Sequence, residues 1–135
     1  MNRKLEEFVK PLMCFEPAHD FSHIERCVAY AKKIAIAEKF EQSIELVTYA
    51  TALHDIGLSK GRKDHGKKGA RLAKPFLEEI QKFSSVEIDE ILFAITYHDT
   101  NRPPKRTLLL DIVQDADMLE LFGPIGIMRA FQSKP

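Results

Sequence analysis

A 3.6-residue apolar period recurs along nearly the whole chain, and nothing constrains the fold more. In "DFSHIERCVAYAKKIAIAEKF" the apolar positions are Ile24, Cys27, Val28, Ala31, Ile34 and Ala35, one face of a helix. "IELVTYATALHD" follows Ser43, which reads as an N-cap, and Gly57 reads as the stop. "SSVEIDEILFAITYHD" carries Ile88, Ile91, Leu92 and Ile95 on one face behind serine caps. "LEEFVKPLM" starts a short first helix that Pro11 bends or ends. "DHGKKGARLAKPFLEEI" is helical with a kink or break expected at Pro75. "TNRPPKR" is a stiff loop around Pro103 and Pro104. "TLLLDIVQDADMLELF" and "GPIGIMRAF" then read as two closing helices, the second with Pro124 near its first turn. No alternating run competes, and no repeat or domain boundary interrupts residues 1–135. The expected fold is all-α, a single-domain bundle of roughly six or seven helices.

The length suits one compact domain, and 44% apolar against 30% charged residues is enough to bury a core. Lysine plus arginine equals aspartate plus glutamate at 20 each, so an anion site must be a local patch. No nucleic-acid or membrane partner is expected. The two cysteines, Cys14 and Cys27, are too few for a disulfide scaffold and lack zinc-ribbon spacing. They read as reduced apolar residues on helix faces. With no signal-peptide stretch in "MNRKLEEFVK" and no spanning segment, a cytoplasmic location is expected.

The chemistry sits in the histidines, His19, His23, His54, His65 and His98, three of them beside an aspartate: His54-Asp55, Asp64-His65 and His98-Asp99. His23 borders the stripe of its helix, and His54 lies one turn after Ala50 on an apolar face that ends in Asp55. A buried carboxylate needs a compensating cation. One divalent metal held by imidazole nitrogens and carboxylate oxygens compensates several such groups together. Asp115 and Asp117 stand about 200° apart around a helix, flanking the stripe of Leu109, Ile112, Val113, Ala116 and Leu119. Periodicity leaves open which of the two faces a metal. A run of cations follows the His54-Asp55 doublet: Lys60, Arg62, Lys63, Lys67, Lys68, Arg71 and Lys74. Most read as a solvated face, while Arg26 and Arg71, with Lys60, are the phosphate-binding candidates.

These residues, in this order, resemble the HD-domain superfamily of metal-dependent phosphohydrolases. Its signature is a histidine on an early helix, a His-Asp doublet ending a later one, and an aspartate further on. Here that reads His23, His54-Asp55 and the Asp117 of "DADMLE", over residues 19 to 123. The resemblance implies that His23, His54, Asp55 and Asp117 bind one metal, with Asp115 beside the site or on the surface. The ligand mixture suits Mn²⁺, Mg²⁺, Ni²⁺, Co²⁺ or Fe²⁺.

"HGKKGA" and "ITYHD" are similar to segments of members with a second metal, which Asp55 would bridge with His65 and His98. The favoured expectation here makes those histidines supporting or substrate-facing groups. The Gly-Tyr-Pro extension of the cyclic-dinucleotide branch is missing, which argues against cyclic di-GMP. The run "DADMLELFGPIGI" is similar to the short stand-alone branch. Met118 stands where a basic residue is expected, and the chain stops soon after Phe131, where further helices are expected.

The implied activity is hydrolysis of a small-molecule phosphate ester or anhydride, with a nucleotide as the expected substrate class, His54 and Asp55 catalytic and Asp55 the proton acceptor. The alternatives are a metal-retaining ligand-binding module, a di-iron oxygenase of the same fold, and a plain helical bundle. A homodimer through the terminal helices is a further expectation.

Overall fold

Each apolar stripe becomes the inner face of a helix. A computed structural model describes residues 1–13, 20–40 and 43–133, the stretch 121–133 as backbone alone. Cys14, His19 and the side chains of residues 121–133 in the closing helix lie outside the described residues. The elements are α1 (Arg3–Val9), α2 (Phe21–Ala37), α3 (Ile44–Leu53), α4 (His65–Glu79), α5 (Ser85–Tyr97) and α6 (Leu108–Ser133). Short 3₁₀ turns at Lys10–Met13 and Ile56–Lys60 follow α1 and α3. Among the described residues there is no strand, and no helix is long and apolar enough to cross a membrane.

Local chemistry sets most helix ends. The Asp20 carboxylate accepts the His23 backbone N–H at 2.9 Å, capping α2 and fixing where His23 begins. Ser84 and Glu87 form a reciprocal capping box at α5. Ser43 occupies the cap position of α3 without a side-chain cap bond. The helix ends at Leu53, and Gly57 falls inside the following 3₁₀ turn, so it is not a left-handed stop. Helix α4 runs through Pro75 without a break. Pro75 and Arg71 are both exposed, so water can bond the carbonyl that Pro75 leaves unpartnered. The expected break before Pro124 is also absent, and α6 is one helix instead of two. A proline removes one main-chain hydrogen bond, which a long helix can absorb.

Helix α2 packs on α3 and α6, while α4 lies against α5 and the Ile56–Lys60 turn. The core includes Leu5, Ile24, Leu53, Ile91, Leu110 and Val113, all fully buried. Its buried polar members include His23, His54, Asp55 and His98.

Two glycines permit the closest approaches. A Cβ on Gly57 would lie 1.8 Å from the His65 carbonyl oxygen, and one on Gly66 would lie 2.3 Å from that of Thr96. Both obstacles are backbone, so neither can rotate away. These contacts wedge the first turn of α4 between the 3₁₀ turn and α5, carrying His65 toward His98. Gly66→Ala is therefore expected to destabilise the fold by about 1–3 kcal/mol in urea unfolding, by overpacking.

Candidate metal centre

The histidines and Asp55 come from helix ends, where the chain turns and side chains from separate elements converge. His23 lies in the first turn of α2, and His54 and His98 cap the C-termini of α3 and α5. His65 opens α4. Asp55 follows His54, and Asp117 comes from within α6.

Their atoms meet closely. The His23 Nε2 is 3.2 Å from Asp117 Oδ1 and 3.5 Å from Asp55 Oδ2. The His54 Nε2 is 3.2 Å from Asp55 Oδ2 and 3.3 Å from Asp117 Oδ1. Donors held about 2.0–2.2 Å from one cation stand about 2.8–3.1 Å apart at octahedral angles and about 3.3–3.6 Å apart at tetrahedral ones. The spacing and the nitrogen and oxygen donors thus fit a divalent metal.

Ring orientation supports the same fit. Nδ1 of His54 and of His98 each lies within hydrogen-bond distance of the carbonyl three residues earlier, Thr51 and Ile95. His65 repeats the pattern with Arg62 at 3.1 Å. An Nδ1–H donated to these carbonyls leaves the Nε2 lone pair facing inward, the tautomer a metal ligand requires.

Asp55 has a second face. Its Oδ1 lies 3.3 Å from His98 Nε2 and 3.9 Å from His65 Nε2. Those two nitrogens are 3.1 Å apart. One carboxylate, 2% exposed, thus stands between two pairs of imidazoles.

The structure separates the two α6 aspartates. Asp117 reaches His23 and His54, whereas Asp115 is exposed on the wall of an adjoining cleft. That cleft, of about 580 Å³, is lined by both aspartates, His98, Met118, Arg106 and several further acids. None of Arg26, Lys60 and Arg71 lines it. Arg26 pairs with Glu120, while Lys60 and Arg71 are exposed.

Three residues near the site carried no sequence signal strong enough to single them out. Cys27, one turn after His23, places Sγ 3.5 Å from His23 Nε2. Glu120 sits 3.9 Å from His23 Nδ1. Gln114 donates from Nε2 to the carbonyls of Tyr97, His98 and Thr100 at 3.4, 3.1 and 2.7 Å. The i, i+4 spacing of His23 and Cys27 was the available clue.

Without a metal, the cluster binds protons instead. Burial opposes a charged His23, but hydrogen bonds to Asp117, Asp55 and Cys27 outweigh it and raise its pKa from 6.5 to about 11. Burial also opposes a charged His54, and the Asp55 charge with the Asp117 hydrogen bond pushes it well above its ordinary value. Burial alone would raise the Asp117 carboxyl; His23 and His54 hold it well below the carboxylate range. The histidine contribution to stability is complete below pH 6.5 and is lost as pH rises toward about 11. The Asp117 contribution has the opposite sign, present above pH 3.8 and lost on further acidification. Chelator-stripped protein should therefore melt at progressively lower temperature as pH increases above 6.5, checked by thermal scans across a pH series.

Comparison with known proteins gives the family. The HD domain family model matches residues 20–121, a span that contains every residue of the cluster. A solved structure, a predicted HD superfamily hydrolase from an uncultured Thermotogales bacterium, superposes with a TM-score of 0.76 at 32% identity. That match covers 96% of this chain and 74% of the other. The search of curated proteins gives no match. With the ordered histidines and aspartates gathered at one point and the family model spanning them, the chain belongs to the HD-domain family.

Proposed function

We propose that this chain is a metal-dependent phosphohydrolase that cleaves a small-molecule phosphate ester, with a nucleoside monophosphate as the favoured class. The observation that carries this reading is the meeting of His23, His54, Asp55 and Asp117 beside a cleft large enough for a small molecule. His23, His54, Asp55 and Asp117 would hold a divalent metal, which would supply an activated water, its pKa lowered from about 15.7 toward about 7, and neutralise phosphoryl charge.

The protein's own groups supply the rest. The cleft wall positions the leaving group. Asp55 accepts the proton of the attacking water at Oδ1, the oxygen facing His98 Nε2 at 3.3 Å. His98 and His65 continue that line at 3.1 Å, and His65 is the more exposed member.

Charge on the wall narrows the substrate. Glu38, Asp99, Asp111 and Asp115 line the cleft, while Arg106 is engaged by Asp111 and Gln114. A long polyphosphate would meet a wall richer in carboxylates than in cations. A single phosphoryl group at the metal, with sugar hydroxyls donating to the wall, suits it better. Arg26, Lys60 and Arg71 are then left to a solvated surface rather than to phosphate binding.

A second reading adds a second metal. The facing Nε2 atoms of His65 and His98 require either a proton or a cation between them, and Asp55 Oδ1 lies beside both. Elemental analysis separates the two: one equivalent per chain supports the shared proton, and two support a bridged pair that His65→Ala reduces to one. Two irons with oxygen-dependent absorbance would instead indicate the oxygenase chemistry.

The central test combines Mn²⁺ with a panel of nucleoside mono-, di- and triphosphates and sugar phosphates, reading released phosphate. Monophosphates should turn over fastest. His54→Ala and Asp117→Asn should each lower bound metal and reduce turnover at least about a hundredfold. Tight metal binding with no release from any substrate would favour the ligand-binding module.

A further inference from the structure

We propose that Cys27 provides a thiolate contact to the metal held by His23, His54, Asp55 and Asp117, biasing the centre toward zinc, cobalt or iron over magnesium and manganese. This rests on the metal-centre reading above. Cys27 is fully buried in α2, one turn after His23, and in sequence it reads as a small apolar residue.

Its surroundings are not those of a packing residue alone. The sulfur faces the ligand atoms themselves, 3.5 Å from His23 Nε2 and 4.0 Å from Asp117 Oδ1. A metal about 2.3 Å from sulfur and about 2.0–2.1 Å from an imidazole nitrogen, at a tetrahedral angle, places those donors roughly 3.5 Å apart. Donor atoms of His23, Cys27, His54 and Asp117 all lie within 4.8 Å of one another. Asp55 Oδ2 lies at the same 3.5 Å from His23 Nε2. The thiol therefore stands beside that carboxylate as a further donor facing the His23 nitrogen.

With a metal bound, the Cys27 S–H would lose its proton to solvent and the thiolate would donate a lone pair to the cation. Imidazole and carboxylate accept many divalent metals, whereas a thiolate discriminates in favour of the softer ones.

Cobalt titration of the metal-free full chain tests this by absorbance. Visible bands report cobalt held by the histidine and aspartate ligands, and a near-ultraviolet sulfur-to-cobalt band reports Cys27. The proposal expects both in the native protein, with only the near-ultraviolet band lost in Cys27→Val. The variant should also lower the zinc-to-manganese affinity ratio at least about tenfold in competition. Visible bands without the near-ultraviolet band in the native protein would overturn the thiolate contact and leave the metal centre standing. No cobalt bands at all would overturn both. The native spectrum decides the question even if the variant fails to fold.

Discussion

The arrangement turns on the carboxylate of Asp55. It is nearly sealed from solvent, and an ionised carboxylate so placed needs a positive partner. Imidazoles answer from two directions, His23 and His54 at one oxygen, His65 and His98 at the other. Protons can satisfy this arrangement, and so can cations. The helices α2, α3, α4 and α5 each contribute an end to it, so the bundle packing and the chemistry are one constraint.

The fold was largely legible because apolar periodicity reports burial directly. The stripe in α2, with Ile24, Cys27, Val28, Ala31 and Ala35, is buried as read. The errors came from punctuation. Pro75 and Pro124 are strong local signals for a break, yet each removes only one hydrogen bond from a helix held by neighbours or by its own length. Gly57 was read as a backbone conformation, whereas its value is the absence of a Cβ where another main chain passes. Close approach between distant segments has no local signature.

The site divided along similar lines. Composition and order singled out the histidines and the doublet, and the resemblance favoured Asp117 over Asp115. Periodicity could not make that choice, because two flanks of one stripe look alike until a neighbouring helix is placed. The exposed side of Asp115 and the inward reach of Asp117 follow from how α6 sits on α2. The cationic run after the doublet illustrates the converse. Nearness in sequence suggested nearness to substrate, but Lys60 and Arg71 point to solvent while acidic residues from other elements line the cleft.

The amide of Gln114 has a mechanical meaning. It grips three carbonyl oxygens where the chain leaves α5, and it sits one helical turn before Asp117. The cleft wall and the Asp117 carboxylate are thus parts of one lever. Any tilt of α6 that moves this carboxylate against His23 and His54 must also reshape the mouth of the cleft.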